Sequence, residues 1–382
     1  MMDLIIPYPE EDEVSFIKRK AYYYRMVKPR LDAGPVWIER KKNNMTPIDA
    51  LDKELIADFW NQFLPSDLID TFIDFRFYDF YNSVLKEGEQ LAYYIPDSFN
   101  QPFIDEYYSN PQHSFPFDDK NLYDLYFHDV NCPKVVFRKV NGFFLDENYS
   151  EISIDDAIKK AKDSGEIILK PAKFSMGGSG ILIWNADDEE SKLVDYLNGL
   201  NFIVCQEIIK QHPEMAKVNP SSVNTLRIMT LILNGQVHVL SSVCRMGVNG
   251  SRIDNASKGG IVCGIKSNGQ LKDVAFTPSG DKYMVHPQGV HFESITIPHY
   301  AQCVDLVKSL AKRFAAVSRL ISWDLAIDES GQPMLIEFNL TIGEMDFHQL
   351  CNGPLYGDLT EEVLKDVFAN SYTLNSIIKS FR

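Results

Sequence analysis

No two of the six cysteines form a C-x-x-C pair, and no cysteine or histidine spacing matches a zinc site. Cys132, Cys205, Cys244, Cys263, Cys303 and Cys351 stand singly, which argues against a disulfide framework. They read instead as buried small apolar residues in a reducing compartment. Apolar runs are short, so no integral membrane segment is expected. The opening MMDLIIPYPEEDEV lacks the basic start and long apolar core of a secretory signal, and the expected setting is the cytoplasm. Positive charge is scarce: 38 Lys and Arg against 53 Asp and Glu leave a formal net charge of −15. A polyanionic partner such as duplex nucleic acid is therefore not expected, although a local basic pocket is compatible with an acidic shell. A Walker GK[ST] loop and a GxSxG serine elbow are also missing.

Aromatic side chains are what the first third has in quantity. Within Pro47–Trp60 apolar residues recur at helical spacing behind Thr46, a possible cap, and Tyr and Phe alternate with charges at helical spacing through residues 68–94. Tyr22, Tyr23, Tyr24, Phe75, Phe77 and Tyr78 read as packing residues, with stacking on a glycan as the alternative. Pro, Asn and Ser cluster between Pro96 and Pro116. Beyond that the texture changes to short β-runs and helices: strands at 134–138, 167–170 and 201–209, a helix at 154–163, and strands at 225–233, 237–245 and 260–266 turned by Asn234-Gly235. A helix over 300–320 and a hairpin of 323–327 with 334–339 follow. The class is α+β, and a chain of 382 residues is long enough for two or three lobes.

Three segments carry chemistry. In Ile167-Ile-Leu-Lys-Pro-Ala-Lys-Phe-Ser-Met-Gly-Gly-Ser-Gly180 a lysine ends an apolar strand before a loop rich in Gly and Ser. Such a loop lets backbone N–H groups approach a phosphate, with Lys170 as the fixed charge; an ordinary turn is the other reading. In Trp323 to Asn339, Asp324 lies on one strand while Glu337 and Asn339 share a face of its neighbour through their i, i+2 spacing. Oxygen ligands of this kind suit Mg²⁺, and solvated acids on an edge hairpin are the alternative. In Gln206 to Glu214, a strand ends in one acid with a second acid seven residues on, a spacing that could bracket a nucleoside or simply be surface. His212 and His286, each before proline, read as structural or substrate-contacting, and Asp187–Glu190 as a solvated helix start.

Together these segments stand in the order and spacing of the ATP-grasp family, which the chain resembles. Asp119-Lys120 precedes the glycine-loop lysine by fifty residues, and Asp324 precedes Glu337 by thirteen. A closer resemblance is to the sugar-transfer-associated ATP-grasp subgroup. It is carried by DDKNLYDLYF (118–127), KQHPEMAKVNPSSVNTLRIMTL (210–231), SKGGI (257–261), MVHPQGVHF (284–292) and WDLAID (323–328), and covers about residues 90–345. The resemblance implies two α+β lobes clasping ATP, with a helical N-terminal region at 1–115, a first lobe with a glycine-rich lid at 116–210, and a second lobe with the metal site at 211–382. It implies that Lys120 and Lys170 hold phosphates beneath a lid of Gly177, Gly178, Ser179 and Gly180. Glu207 with the backbone at Ile209 would meet adenine, Glu214 the ribose, and Asp324, Glu337 and Asn339 one or two Mg²⁺. One departure stands out: many amide-forming members carry arginine two residues before the first metal aspartate, where this chain has Ser322. Arg227, Arg245 and Lys258 are the candidates to replace it.

The expected activity is ADP-forming ligation of a carboxylate to an amine through an acylphosphate. One substrate is expected to be a sugar acid or amino acid bound for a capsular or cell-surface polysaccharide. A phosphotransferase acting on a sugar hydroxyl would use the same nucleotide residues, and a non-catalytic nucleotide- or glycan-binding module would carry a degraded metal set.

Overall fold

The structure, a computed structural model, describes residues 27–109, 111–173, 179–252, 254, 259–341 and 343–380. Tyr22, Tyr23 and Tyr24, like Gly177, Gly178 and Lys258 of the expected site, lie outside the described residues. The chain divides into two compact units. One takes the chain up to Leu85, Gln90–Tyr107 and Asp358–Arg382; the other takes Lys86–Glu89 and Tyr108–Gly357. The closing segment from Asp358 thus groups with the helical N-terminal region, whereas the sequence reading runs it on with the last lobe.

The first unit is helical, with helices at Lys28–Glu39, Ala50–Trp60, Arg76–Asn82, Thr360–Asn370 and Tyr372–Ser380. Its core is aromatic: Trp60, Phe72, Phe77, Tyr78, Phe80, Tyr81, Tyr94, Phe99 and Phe103 are all sealed from solvent. The buried indole of Trp60 donates to the Tyr78 hydroxyl at 2.7 Å, satisfying both polar groups inside an apolar cluster. Phe368 from the closing helices stacks on Phe99, which explains why that segment belongs here. The helix at Ala50 is capped by Asp49, which forms a reciprocal box with Asp52, and not by Thr46. Thr46 instead donates its backbone N–H to the Asp79 carbonyl. Asp wins because its carboxylate sits three residues before a free N–H at the first turn.

The second unit contains two antiparallel sheets. The first comprises β1 (Val135–Val140), β2 (Phe143–Asp146), β3 (Glu151–Ile152), β4 (Glu166–Pro171), β5 (Leu182–Asn185) and β6 (Ile203–Glu207), in the order β3-β2-β1-β6-β4-β5. Helices Ile154–Ser164 and Glu190–Gly199 supply Ala157, Ile158, Ala161, Leu193 and Leu197 to a core with Phe137, Ile167, Leu169 and Cys205. Because strand side chains alternate, Lys170 and Gln206 fall on the other face, and the Lys170 ammonium donates to the Gln206 amide oxygen at 3.2 Å.

The second sheet comprises β7 (Thr225–Leu233), β8 (Gln236–Met246), β9 (Ile261–Ile265), β10 (Leu271–Phe276), β11 (Lys282–Tyr283), β12 (Leu320–Ile327) and β13 (Pro333–Asn339), in the order β11-β10-β9-β8-β7-β12-β13. Asn234 and Gly235 both take positive φ, 48° and 74°, which is what a two-residue turn between right-twisted strands requires. The helix Tyr300–Arg313 covers one face through Cys303, Val307, Leu310 and Ala311. It stops at Arg313, seven residues short of the expected end, because Leu320 already opens β12. Trp323 is buried at the centre of that core, stacked on Phe338 and donating to Thr230 at 2.8 Å.

Among the described residues no helix is long and apolar enough to cross a membrane. All six cysteines are free thiols, five of them buried.

Truncating Trp323 to alanine should cost the second unit about 3–5 kcal/mol by opening a large core cavity. Urea unfolding followed by fluorescence or far-UV circular dichroism measures that loss; a cost below 1 kcal/mol would mean Trp323 is not central to the core.

Candidate functional site

The face of the second sheet turned away from its helix-covered core is polar and nearly closed to solvent. Thr225, Arg227, Ser241, Arg245, Ser322 and Asp324 all lie on buried strand positions. Register explains the convergence. Asp324 pairs with Glu337 on one side and with Arg227 on the other, so the three side chains emerge side by side. Asn339 pairs with Ser322, two residues back.

The pairing slips by one residue between Asp324–Glu337 and Leu325–Leu335, leaving Ile336 as an extra residue in β13. Strict alternation would turn Leu335 to the same side as Glu337 and Asn339. The bulge lets Leu335 and Phe338 both enter the core while Glu337 and Asn339 stay on the polar face.

Arg227 grips Asp324 with two parallel bonds, Nε to Oδ1 and Nη2 to Oδ2, each 2.8 Å. Arg245 adds a third contact, Nη2 to Oδ2 at 3.3 Å. Burial opposes the Asp324 anion, but the two guanidiniums outweigh it and hold the carboxyl down at about 2. Burial likewise opposes charge on Arg227, and Asp324 and Glu344 hold the guanidinium protonated. Arg245 also donates to Thr225 at 3.0 Å and faces Asp254 at 3.6 Å.

Lys120 reaches the same place from a short helix, Lys120–Leu122, capped by the Asp119 side chain. Its backbone N–H donates to the Ala172 carbonyl just beyond β4, and its ammonium pairs with Glu337 at 2.7 Å. Burial works against this ammonium, but Glu337, Asp118 and Asp324 raise its pKa above the usual lysine value. Lys170 is affected the other way: burial first, then the repulsion of Lys120, lowers it to about 8. The structure therefore brings Lys120, Lys170, Arg227, Arg245, Asp324, Glu337 and Asn339 to one locality.

Other expected residues stand apart. Glu207 ends β6, half in solvent, 3.7 Å from Lys134. With Ile209, Cys132 and Met334 it lines a cleft of about 440 Å³. Glu214 is not among the residues lining that cleft; it ion-pairs with Lys217 on its own helical turn. Ser179 and Gly180 are exposed, and the Gly180 carbonyl accepts from the Tyr196 hydroxyl at 2.5 Å. His212 accepts from the Glu214 N–H at 3.1 Å, and buried His286 bonds the Gly247 carbonyl at 3.0 Å; both have local structural partners.

Two residues at the site were not anticipated. Glu344 ion-pairs with Arg227, and His348 is fully buried, with Nδ1 2.8 Å from Ser241 Oγ. Both belong to the turn and helix after β13, a stretch whose polar letters carry no motif of their own. Gly343 is the one readable signal. A Cβ there would come within 2.4 Å of Met229 Cε and 2.5 Å of Ser322 Oγ, so a larger residue would have to push those side-chain ends aside for the chain to pass this close to the sheet.

As a metal site, the donor set is oxygen-only, as Mg²⁺ requires. Among the described residues no group of three or more His, Cys, Asp or Glu is placed to hold a metal. The third donor would therefore be the Asn339 carbonyl, whose amide nitrogen is spent on the Ser322 carbonyl at 3.3 Å. The residues fit such an ion.

Residues 98–364 match the sugar-transfer associated ATP-grasp family. The chain belongs to this family. No curated protein matches it. Among solved structures it is similar to an L-amino acid ligase from Bacillus licheniformis, at 15% identity over 66% of this chain and 47% of that one, with a TM-score of 0.39. It is similar also to the ATP-grasp ligase PsnB complexed with minimal precursor, at 14% identity over 68% and 63%, TM-score 0.39. A third is D-alanyl-alanine synthetase A from Vibrio cholerae, at 14% identity over 72% and 67%, TM-score 0.39. The chain spans about half to two thirds of the length of these structures.

The Asp324 pairing makes a stability prediction. A carboxyl held near 2 stabilises the fold above the ordinary carboxylate range, and that contribution is lost as pH falls through about 2. Arg227→Met should cost about 3–5 kcal/mol at neutral pH by leaving a buried charge under-compensated. The deficit should shrink toward pH 4, where Asp324 can then take up a proton, and adding Asp324→Asn should recover part of it. Urea titrations at both pH values read this; a pH-independent deficit would mean that lost packing, and not charge, is responsible.

Proposed function

We propose that this ATP-grasp family member is an ATP-dependent, Mg²⁺-requiring ligase that joins a carboxylate to an amine, releasing ADP and phosphate. The observation that carries the reading is the registered meeting of Asp324 and Glu337 with Lys120 and Arg227 on one buried face. It sets two anionic oxygen ligands beside two fixed cations, the combination that phosphoryl transfer needs.

On this reading Lys120 and Lys170 hold the phosphates, and Gly177, Gly178, Ser179 and Gly180 form the lid over them. Glu207 and the Ile209 backbone take the adenine in the cleft they line, and Glu214 takes the ribose. Asp324, Glu337 and Asn339 hold the metal, which when bound neutralises phosphate charge and draws electron density from the transferred group. Arg227 and Arg245, with Lys258, stabilise charge on the acyl oxygen, standing in for the arginine that Ser322 displaces. A carboxylate oxygen attacks the γ-phosphorus, ADP leaves, and an acylphosphate forms. The amine nitrogen then bonds the acyl carbon while the C–O bond to phosphate breaks. The protein's part is positioning and exclusion of water, which would otherwise hydrolyse the acylphosphate. The family's association with sugar transfer supports a sugar acid or an amino acid as one partner, within cell-surface polysaccharide synthesis in the cytoplasm.

Incubation with Mg-ATP, hydroxylamine and pools of uronic and amino acids tests the reading. ADP and a pool-dependent hydroxamate, both lost in Asp324→Asn, are the expected products by mass spectrometry. A phosphorylated sugar with no hydroxamate would replace the ligase by a phosphotransferase.

Lys170 adds a pH signature. It is charged below about 8 and neutral above, so affinity for a non-hydrolysable ATP analogue should fall severalfold as pH rises from about 7 to about 9. Calorimetry would show this, and Lys170→Arg should flatten the dependence; an unchanged slope in that variant would remove Lys170 from the phosphate site.

A further inference from the structure

We propose that Glu344 receives the incoming amine: it docks the nitrogen beside Arg227 and takes a proton from it so that the amide bond can form. The inference rests on the ligase reading above and deepens it.

The acids around Arg227 are not equivalent. Asp324 spends both oxygens on Arg227 and a further contact on Arg245. Glu337 is paired with Lys120, and Asp254 accepts from Thr225 and faces Arg245. Glu344 is engaged through Oε2 alone, by Arg227 Nη1. Its Oε1 has no hydrogen-bond partner among the described residues, and although Glu337 too is engaged through one oxygen, the Glu344 side chain is the most open of the four, at 36% exposed against 23% for Glu337, 13% for Asp254 and 4% for Asp324. It is the acid of this group that a second molecule can reach.

Its backbone is held in an unusual state. Glu344 takes φ 56° and ψ 52°, the left-handed region, at the residue before helix Met345–Asn352. A non-glycine residue there carries strain that neighbouring structure must enforce. Gly343, just before it, packs closely on the Met229 and Ser322 side chains, and the ion pair with Arg227 holds Glu344 itself. The result aims a half-engaged carboxylate at the guanidinium proposed to hold the acyl oxygen. The base for the nucleophile and the donor for the electrophile are then adjacent.

The step balances. The amine's lone pair forms the N–C bond, the acyl C–O bond breaks, and phosphate leaves with that electron pair. An amine that arrives as the ammonium ion first gives one proton to Glu344 Oε1, which frees that lone pair and returns the proton to solvent; once bonded to carbon, the nitrogen gives its second proton to the departing phosphate. His348, one turn along the same helix, is the rival base. It is fully buried and its Nδ1 is engaged with Ser241, so an amine meets Glu344 first.

The test compares nucleophiles in Glu344→Gln, using the carboxylate found in the hydroxamate screen. Hydroxylamine is mostly unprotonated at neutral pH and needs little base assistance. Primary amines, here ammonia and the proteinogenic amino acids, are mostly ammonium ions. The variant's amide rate should fall on the order of 10²-fold, at least tenfold more than its hydroxamate rate, with Glu344→Asp intermediate. Equal losses with both nucleophiles would overturn the proposal, as would a wild-type enzyme that captures hydroxylamine but no primary amine. A wild-type enzyme that yields no hydroxamate would instead sink the ligase reading beneath it.

Discussion

The two parallel bonds between Arg227 and Asp324 constrain the whole second unit. A guanidinium and a carboxylate at 7% and 4% side-chain exposure are tolerable only while each satisfies the other, since removing either strands a buried charge. Their strands must therefore be neighbours in fixed register, and a slip of one residue would turn one of the two side chains into the apolar core. Holding that register falls to the opposite face. There Ile228, Trp323, Leu325 and Phe338 pack with the Tyr300–Arg313 helix, and Trp323 bonds Thr230 on that same face. The core is thus what fixes the geometry of the polar face, and it does so without touching it.

Two local departures from regular geometry adapt that frame to chemistry. The extra residue at Ile336 rotates part of β13 so that apolar and acidic side chains part to opposite faces. Gly343 then lets the chain after β13 turn back against the sheet, bringing Glu344 to Arg227 and seating Asn352 on Ser241 at 2.8 Å. A matching omission admits the helix itself. A Cβ on Gly264 would lie 2.4 Å from Asn352 Oδ1, so β9 must present bare backbone where the helix crosses.

The sequence made the sheet and its acids legible because their signals are local. The Thr225–Leu233 strand is found at its expected bounds, and the i, i+2 spacing of Glu337 and Asn339 does put them on one face beside Asp324. Long-range pairing was not legible. Nothing in the letters around Arg227 reveals that it lies opposite Asp324, ninety-seven residues away, or that Glu344 closes the same cluster. The short strands Phe143–Asp146, Glu151–Ile152 and Leu271–Phe276 are not legible because they mix polar and apolar residues without clean alternation. The grouping of the segment from Asp358 with the N-terminal helices is not legible for a related reason: amphipathic spacing says that a face is buried but not against what. The contacts of Phe368 with Phe99 and Phe63 and the bond from Tyr93 to Glu361 reveal the partner.

The charge pattern at the site carries a last consequence for how it would work on the proposed reading. Asp324 and Glu337 are not bare carboxylates awaiting a cation; arginine and lysine already compensate them. A lone divalent ion would have to displace or crowd those cations and would gain correspondingly little. A nucleotide changes the balance, because its phosphates give Lys120, Lys170 and Arg227 new anionic partners and free the carboxylates to share the metal. Metal and nucleotide are thereby coupled through the same five side chains. The arrangement keeps the buried face neutral before substrate arrives, and it makes the metal's place conditional on the phosphates it is to activate.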